Sequence, residues 1–186
     1  MPVELLTQYL SSGKGVSVER STPLPIQPGG FDAAANASKT NPQPVASGNE
    51  QNVAIQASAA QTVTGNGTAV TGYGKYSVAW FELDVTLAAT EAGDTLNVFV
   101  QTQIDGTNWV DIVHFTEVLG NGAAKRFVSK VSADLAETMF ETGTALAAAG
   151  VRHILGDSYR ARWAIVDVAT TGNQSFTFSV KANFVA

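Results

Sequence analysis

With 186 residues the chain is long enough for one ordinary domain plus an appendage. Only 15% of its residues are charged and the net charge is −5, which argues against nucleic acid as its main partner, since phosphate binding wants a basic patch. There is no cysteine, which excludes disulfides, thiolate nucleophiles and cysteine zinc sites and leaves apolar burial and strand ladders to hold the domain.

Residues 1–50 read as an arm. The opening stretch "MPVELLTQYLSSGKG" lacks the basic-then-apolar order of a signal peptide, and no run in the chain approaches the roughly 20 apolar residues of a membrane span. A short helix is expected in "VELLTQYL", with Leu6 and Leu10 on one side. Pro23, Pro25, Pro28, Pro42 and Pro44 then fix their own φ and turn each preceding residue away from helix. Such a segment buries too little surface to offset its own ordering entropy. Two readings follow: a disordered tail, or an extended arm that orders only against a neighbouring subunit. The apolar residues Leu5, Leu6, Tyr9, Leu10, Val16, Val18, Leu24, Ile26 and Phe31 favour the arm, because a linker has no need of them. They are the expected partner-binding residues.

From residue 51 the pattern becomes period 2, and residues 51–186 read as the folded domain. "NVAIQAS" sets Val53, Ile55 and Ala57 on one face. "QTVTGNGTAVTG" predicts a hairpin turning at Asn66-Gly67. "KYSVAWFELDVTLA" offers Ala79, Phe81, Leu83, Val85 and Leu87 as its core face. "DTLNVFVQTQI" offers Leu96, Val98, Val100, Thr102 and Ile104. Two more strands are expected in "NWVDIVHFTEV" and "AKRFVSKVS". Residues 132–156, Ala-rich with Leu135, Met139 and Phe140 at near-helical spacing, predict a short helix or a long loop crossing between sheets. "SYRARWAIVDVA" alternates Tyr159, Ala161 and Trp163 with Arg160 and Arg162, and "SFTFSVKANFVA" alternates Phe176, Phe178, Val180, Ala182 and Phe184. About eight strands with turns between them specify an all-β antiparallel sandwich, jelly-roll-like, with a long extended N-terminal arm.

Asp105-Gly106 predicts a tight turn, and Trp109, on the return strand, is expected in the core or at a subunit interface rather than as a sugar platform. The chain carries only two histidines, His114 and His153, in different segments, without the spacing of a metal pair. It has no nucleophile elbow and no phosphate loop. Asp105, Asp111 and Asp157 lack calcium-loop spacing. No catalytic residue, cofactor or metal is therefore expected. Arg160 and Arg162, with Lys125-Arg126, are expected to pair with Glu82, Asp84 or Asp111 across strands, or to contact an acidic partner. Trp109, Arg160 and Arg162 are the candidate surface residues of the body.

The strand order of residues 75–186 resembles the small β-sandwich virion proteins of tailed bacteriophages. The resemblance lies in "AWFELDVTLAATEAGDT", then "LNVFVQTQIDGTNWVDIVHF", then "YRARWAIVDVATTGNQSFTFSVKANF". It implies a non-enzymatic capsid decoration or cement protein on the outer surface of the phage head, made in the host cytoplasm. The implied partners are the major capsid protein and neighbouring copies, as trimer or dimer, with no nucleic acid and no membrane. Two alternatives stand beside it: a carbohydrate- or receptor-binding module of a head fibre, tail or baseplate, and a ring-forming neck or tail-completion protein. Two exposed tryptophans among Trp80, Trp109 and Trp163 lining one groove would favour the carbohydrate reading.

Overall fold

The computed structural model describes residues 48–168 and 172–186. Residues 1–47 of the expected arm, with the helix expected at "VELLTQYL" and the nine apolar residues from Leu5 to Phe31, lie outside the described residues. Among the described residues there are nine strands and no helix. They are β1 (Glu50–Gln61), β2 (Gly65–Asn66), β3 (Val78–Leu87), β4 (Thr95–Gln103), β5 (Trp109–His114), β6 (Val118–Leu119), β7 (Lys125–Ser132), β8 (Ser158–Val166) and β9 (Phe176–Val185).

The strands form two antiparallel sheets, ordered β1-β9-β3-β7 and β2-β8-β4-β5, with the short β6 attached to the start of β4. With β6 set aside, the first strand pairs the eighth, the second the seventh, the third the sixth and the fourth the fifth. This is the chain folded double and then rolled, the jelly-roll topology. Only β4 and β5 are joined as a hairpin. Most other connections cross between sheets, so each strand needs one apolar face and one wet face, the period-2 signal of the sequence.

The core lies between the sheets. Ala79, Phe81, Leu83 and Val85 of β3 meet Leu96, Val98 and Val100 of β4, and all are buried. Phe178 of β9 stands edge-on to Trp163 of β8, ring centroids 5.6 Å apart, and links the two layers. At one end Phe184 stacks on Tyr73 at 4.3 Å and touches Tyr76, Phe81 and Tyr159. Each such side chain contributes about 1.5–3 kcal/mol by leaving water.

Three expectations need correction. Asn66-Gly67 is no hairpin turn: Gly65–Asn66 pairs with Trp163 and Arg162 of β8. Gly65 must be glycine there, because a Cβ would stand 2.9 Å from the Trp163 indole. Leu87 and Ile104 are exposed, since each lies where its ladder is ending. Ala57 is exposed as well, because β1 shifts register three times against β9 and loses its alternation. Of the two forms expected for residues 132–156, the long loop crossing between sheets is the one present: residues 133–157 run from β7 of one sheet to β8 of the other. Gly143 and Ala149 take positive φ, and the segment bonds to the sheet as well as to itself: His114 Nδ1 meets the Leu146 carbonyl at 2.8 Å, and the Gly150 carbonyl accepts from His114 N–H.

Candidate interaction surface

Two features of the body's surface stand out: the outer face of the β8-β4-β5 sheet, and the free edge of β7.

On the outer face, register places Gln101 between Asp111 and Arg160, and Phe99 between His114 and Arg162. A register shift at Val100/Gln101 slips one extra residue, Ile112, into the core and keeps Asp111 and His114 both facing outward. Arg162 pairs with Asp111 at 2.8 Å and lays its guanidinium 3.7 Å over the Phe99 ring. Phe99 stacks on His114 at 3.9 Å. His114 Nε2 lies 2.9 Å from Asn97 Oδ1, and the Asn97 amide donates to Glu117 at 2.8 Å. Gln101 donates to Asp111 and accepts from Arg160 Nε, both at 2.8 Å. Arg160 then covers Trp109, its guanidinium 4.2 Å from the ring centroid. Partial burial, followed by repulsion from Arg162, holds the Arg160 guanidinium below its ordinary pKa.

The loop 133–157 roofs part of this face. Arg152, buried, donates to the Asp111 and Thr144 carbonyls and stacks on Phe140. Under the roof is an open recess of about 370 Å³ lined by Gln101, Trp109, Asp111, Thr144, Arg152 and Arg162. Its polar groups bond to one another: Asp111 accepts from Gln101 and Arg162, and Arg152 donates to the Asp111 and Thr144 carbonyls.

The three candidate body residues thus come together, Trp109 beside Arg160 and Arg160 beside Arg162. Trp109 is not a core residue. It is half-buried on the outer face, because the strand's core positions fall to Val110 and Ile112. Lys125-Arg126 belongs to the other sheet, where Arg126 sits opposite Asp84 and bonds it at 3.1 Å. Asp105, Asp111 and Asp157 do not meet. Asp105 caps its own turn, accepting from the backbone of Thr107 and Asn108, with Gly106 at φ 74°. Those hydrogen bonds lower its pKa to about 2. Asp157 accepts from the backbone of Gly74 and Gly72, which lowers its pKa as well.

Sheet edges are where one chain most readily joins another, and three of the four here are blunted. β1 is broken by register shifts and by Asn52 at φ 57°. β2 is two residues long. β5 is met by the 150–152 segment, through His114 N–H to the Gly150 carbonyl and Arg152 N–H to the Ile112 carbonyl. β7 differs. It runs against β3 for eight residues without a shift, and no described strand pairs with its other side.

Ala133 N–H points inward to the Ser77 carbonyl, and Ser132 N–H points outward to His153 Nδ1. By alternation the outward main-chain groups of β7 are those of Lys130, Val128 and Arg126. They border a groove of about 460 Å³ between β7 and the 149–151 segment, with Phe115, Phe127 and Val151 among its walls. Ser129 Oγ, in the same wall, is buried without a hydrogen-bond partner. Nothing in the sequence marks this edge, because "KRFVSKVS" reads like any other strand; pairing order alone leaves it open.

No protein-family model matches the chain, and no curated protein matches it either.

Proposed function

We propose that the chain is a non-enzymatic structural protein of a tailed-phage head that decorates and cements the capsid. Its body sits on the outer shell, and residues 1–50 tie neighbouring major capsid subunits and neighbouring copies together. The observation that carries this reading is a rolled β-sandwich with one long strand edge, β7, that pairs with no described strand on its outer side, beside an apolar-walled groove. The occupant of that edge is the extended arm of a neighbouring copy. Strand addition gives affinity through the main chain and selects alternate side chains through pockets. The arm carries Val16 and Val18 two residues apart, the spacing of one strand face, and about 47 residues extend to roughly 155 Å, ample to reach a neighbour.

Jelly rolls recur in viral capsid proteins and in lectins, so topology alone does not choose between a structural and a sugar-binding role. The tryptophans bear on that choice. Trp80 is 43% exposed on the β3 sheet, Trp109 lies on the opposite sheet under Arg160, and Trp163 is buried. No two of them line one groove, which supports the structural role over a glycan platform.

The experiment is co-sedimentation of the full chain with undecorated phage heads. Saturable binding at hundreds of copies per head is expected, with loss of binding in Val128→Pro, which places a ring where an outward N–H is needed. Six or twelve copies would indicate the neck reading, and no binding at all would refute the proposal.

A further inference from the structure

We propose that Glu91, Asp94 and Asp167 hold a divalent cation of the calcium class where the β3–β4 connection meets the exit of β8. One carboxylate oxygen from each of the three lies within 4.8 Å of the others. Asp94 is fully buried. Its Oδ1 accepts from Val168 N–H at 3.2 Å, while its Oδ2 is buried with no hydrogen-bond partner. A buried carboxylate oxygen left unpaired is costly, and a cation is the direct remedy.

Strand register sharpens the point. The β4–β8 ladder closes with Thr95 opposite Val166, so the next step sets Asp94 opposite Asp167. Like charges facing across two strands are destabilising, and Glu91 brings a third to the same point. A +2 ion inverts that balance. Asp94 is also held in place before any ion arrives. Its carbonyl accepts from Gly120 N–H at 2.7 Å, and Asn121 N–H donates to the Ala89 carbonyl, bracing the connection against the 119–121 turn. Glu91 and Asp167 are only partly buried, which leaves a path for the ion from solvent.

Donor chemistry selects the class. All three donors are hard oxygens, with no histidine or cysteine among them, which favours Ca²⁺ or Mg²⁺ over Zn²⁺. The spread of the donors is no wider than twice a Ca²⁺–O bond of about 2.4 Å, and carboxylates bind Ca²⁺ through one or both oxygens in flexible geometry. Mg²⁺ demands a tighter, near-ideal octahedron and gives up its waters reluctantly. The ion would pin the β3–β4 connection to the end of β8, joining two parts of the chain more than seventy residues apart. This is not a place the sequence singles out: the acidic residues it offers, Asp105, Asp111 and Asp157, accept hydrogen bonds elsewhere in the body, while Asp167 here accepts from Gly172 N–H at 3.4 Å.

The test is calorimetric titration of Ca²⁺ into the chelator-stripped full chain, alongside thermal unfolding with CaCl₂, MgCl₂ or chelator. Saturating Ca²⁺ is expected to raise Tm by roughly 5–10 °C, and Mg²⁺ by less. Asp94→Asn is expected to lose the Ca²⁺ response. Asp167→Asn, a change at a half-exposed position that spares the core, is expected to weaken Ca²⁺ binding at least tenfold. The proposal is overturned if about 10 mM CaCl₂ gives neither heat nor a Tm change. It is also overturned if Asp94→Asn and Asp167→Asn respond to Ca²⁺ as the wild type does, since the ion then binds elsewhere. Either result concerns the isolated protein and leaves the capsid reading to its own experiment.

Discussion

Arg160 holds its guanidinium 4.2 Å above the ring of Trp109, on the outer face of the β8-β4-β5 sheet. One face of the indole is therefore occupied by the protein's own cation. The pair makes a cation–π contact worth about 0.5–1 kcal/mol at a partly exposed site. Trp109→Ala is expected to cost about 1–2 kcal/mol in urea unfolding, through that contact and the ring's partial burial. The same variant is expected to leave any response on a glycan array unchanged. A glycan signal in the wild type that Trp109→Ala abolishes would favour the sugar-binding alternative instead.

Asp111 joins the ladder at its centre, where its carboxylate accepts from both Gln101 and Arg162. Its side chain is 10% exposed and that of Arg162 30%. Hydrogen bonds to charged groups are worth about 1.5–3 kcal/mol, and removing the acceptor strands the guanidinium. Asp111→Ala is thus expected to cost about 2–3 kcal/mol. A double-mutant cycle with Arg162→Met should give a coupling of about 1 kcal/mol or more. Arg126 with Asp84, a pair open to solvent, should couple by less than about 1 kcal/mol. Equal coupling in the two pairs would contradict this account of the face.

The core faces of β3, β8 and β9 were legible because their buried residues recur at every second position and most of the residues between them are polar or charged. Phe81, Leu83, Tyr159, Ala161, Phe178 and Phe184 all fall where alternation predicts. Alternation says nothing about which strand lies beside which, so the open side of β7 and the meeting of Asp94 with Asp167 were invisible. Local turn chemistry served unevenly. Asp105-Gly106 makes its turn because Asp105 can cap it, whereas Asn66-Gly67 is drawn into pairing with β8 by Trp163. The near-helical spacing of Leu135 and Met139 left helix and loop both open, and the loop prevails for a related reason. Met139 is fully exposed, so that stripe has nothing to pack against and the segment serves the sheet through its polar groups.

The last strand should be indispensable. Phe184 is fully buried and contacts four other rings although it is two residues from the end. Phe184→Ala is expected to cost about 3–5 kcal/mol in chemical unfolding. Removing residues 184–186 should do at least as much damage. A truncated chain with wild-type Tm would contradict the packing described.

Acid should weaken the body through its loops. The carboxylates of Asp105 and Asp157 have folded pKa values below their unfolded value of about 4, because backbone N–H groups bond the charged form. Depressed carboxylates contribute stability above the unfolded pKa and lose it as pH falls through the folded one. For Asp105 that window runs from pH of about 4 down to about 2. The Asp105→Asn, Asp157→Asn double variant keeps acceptors at both places but no titrating group there. Its Tm should fall less steeply than the wild type's over that window. Parallel acid limbs would show that these two carboxylates do not set the acid response.

The most direct measurement of the structural role is an electron cryomicroscopy reconstruction of the phage particle. It should place the rolled sandwich on the outer surface of the head, with an extended strand from a neighbouring copy lying antiparallel or parallel along Arg126–Lys130 of β7. A particle in which that edge faces bare solvent, or in which the protein is missing from the head surface, would contradict the account.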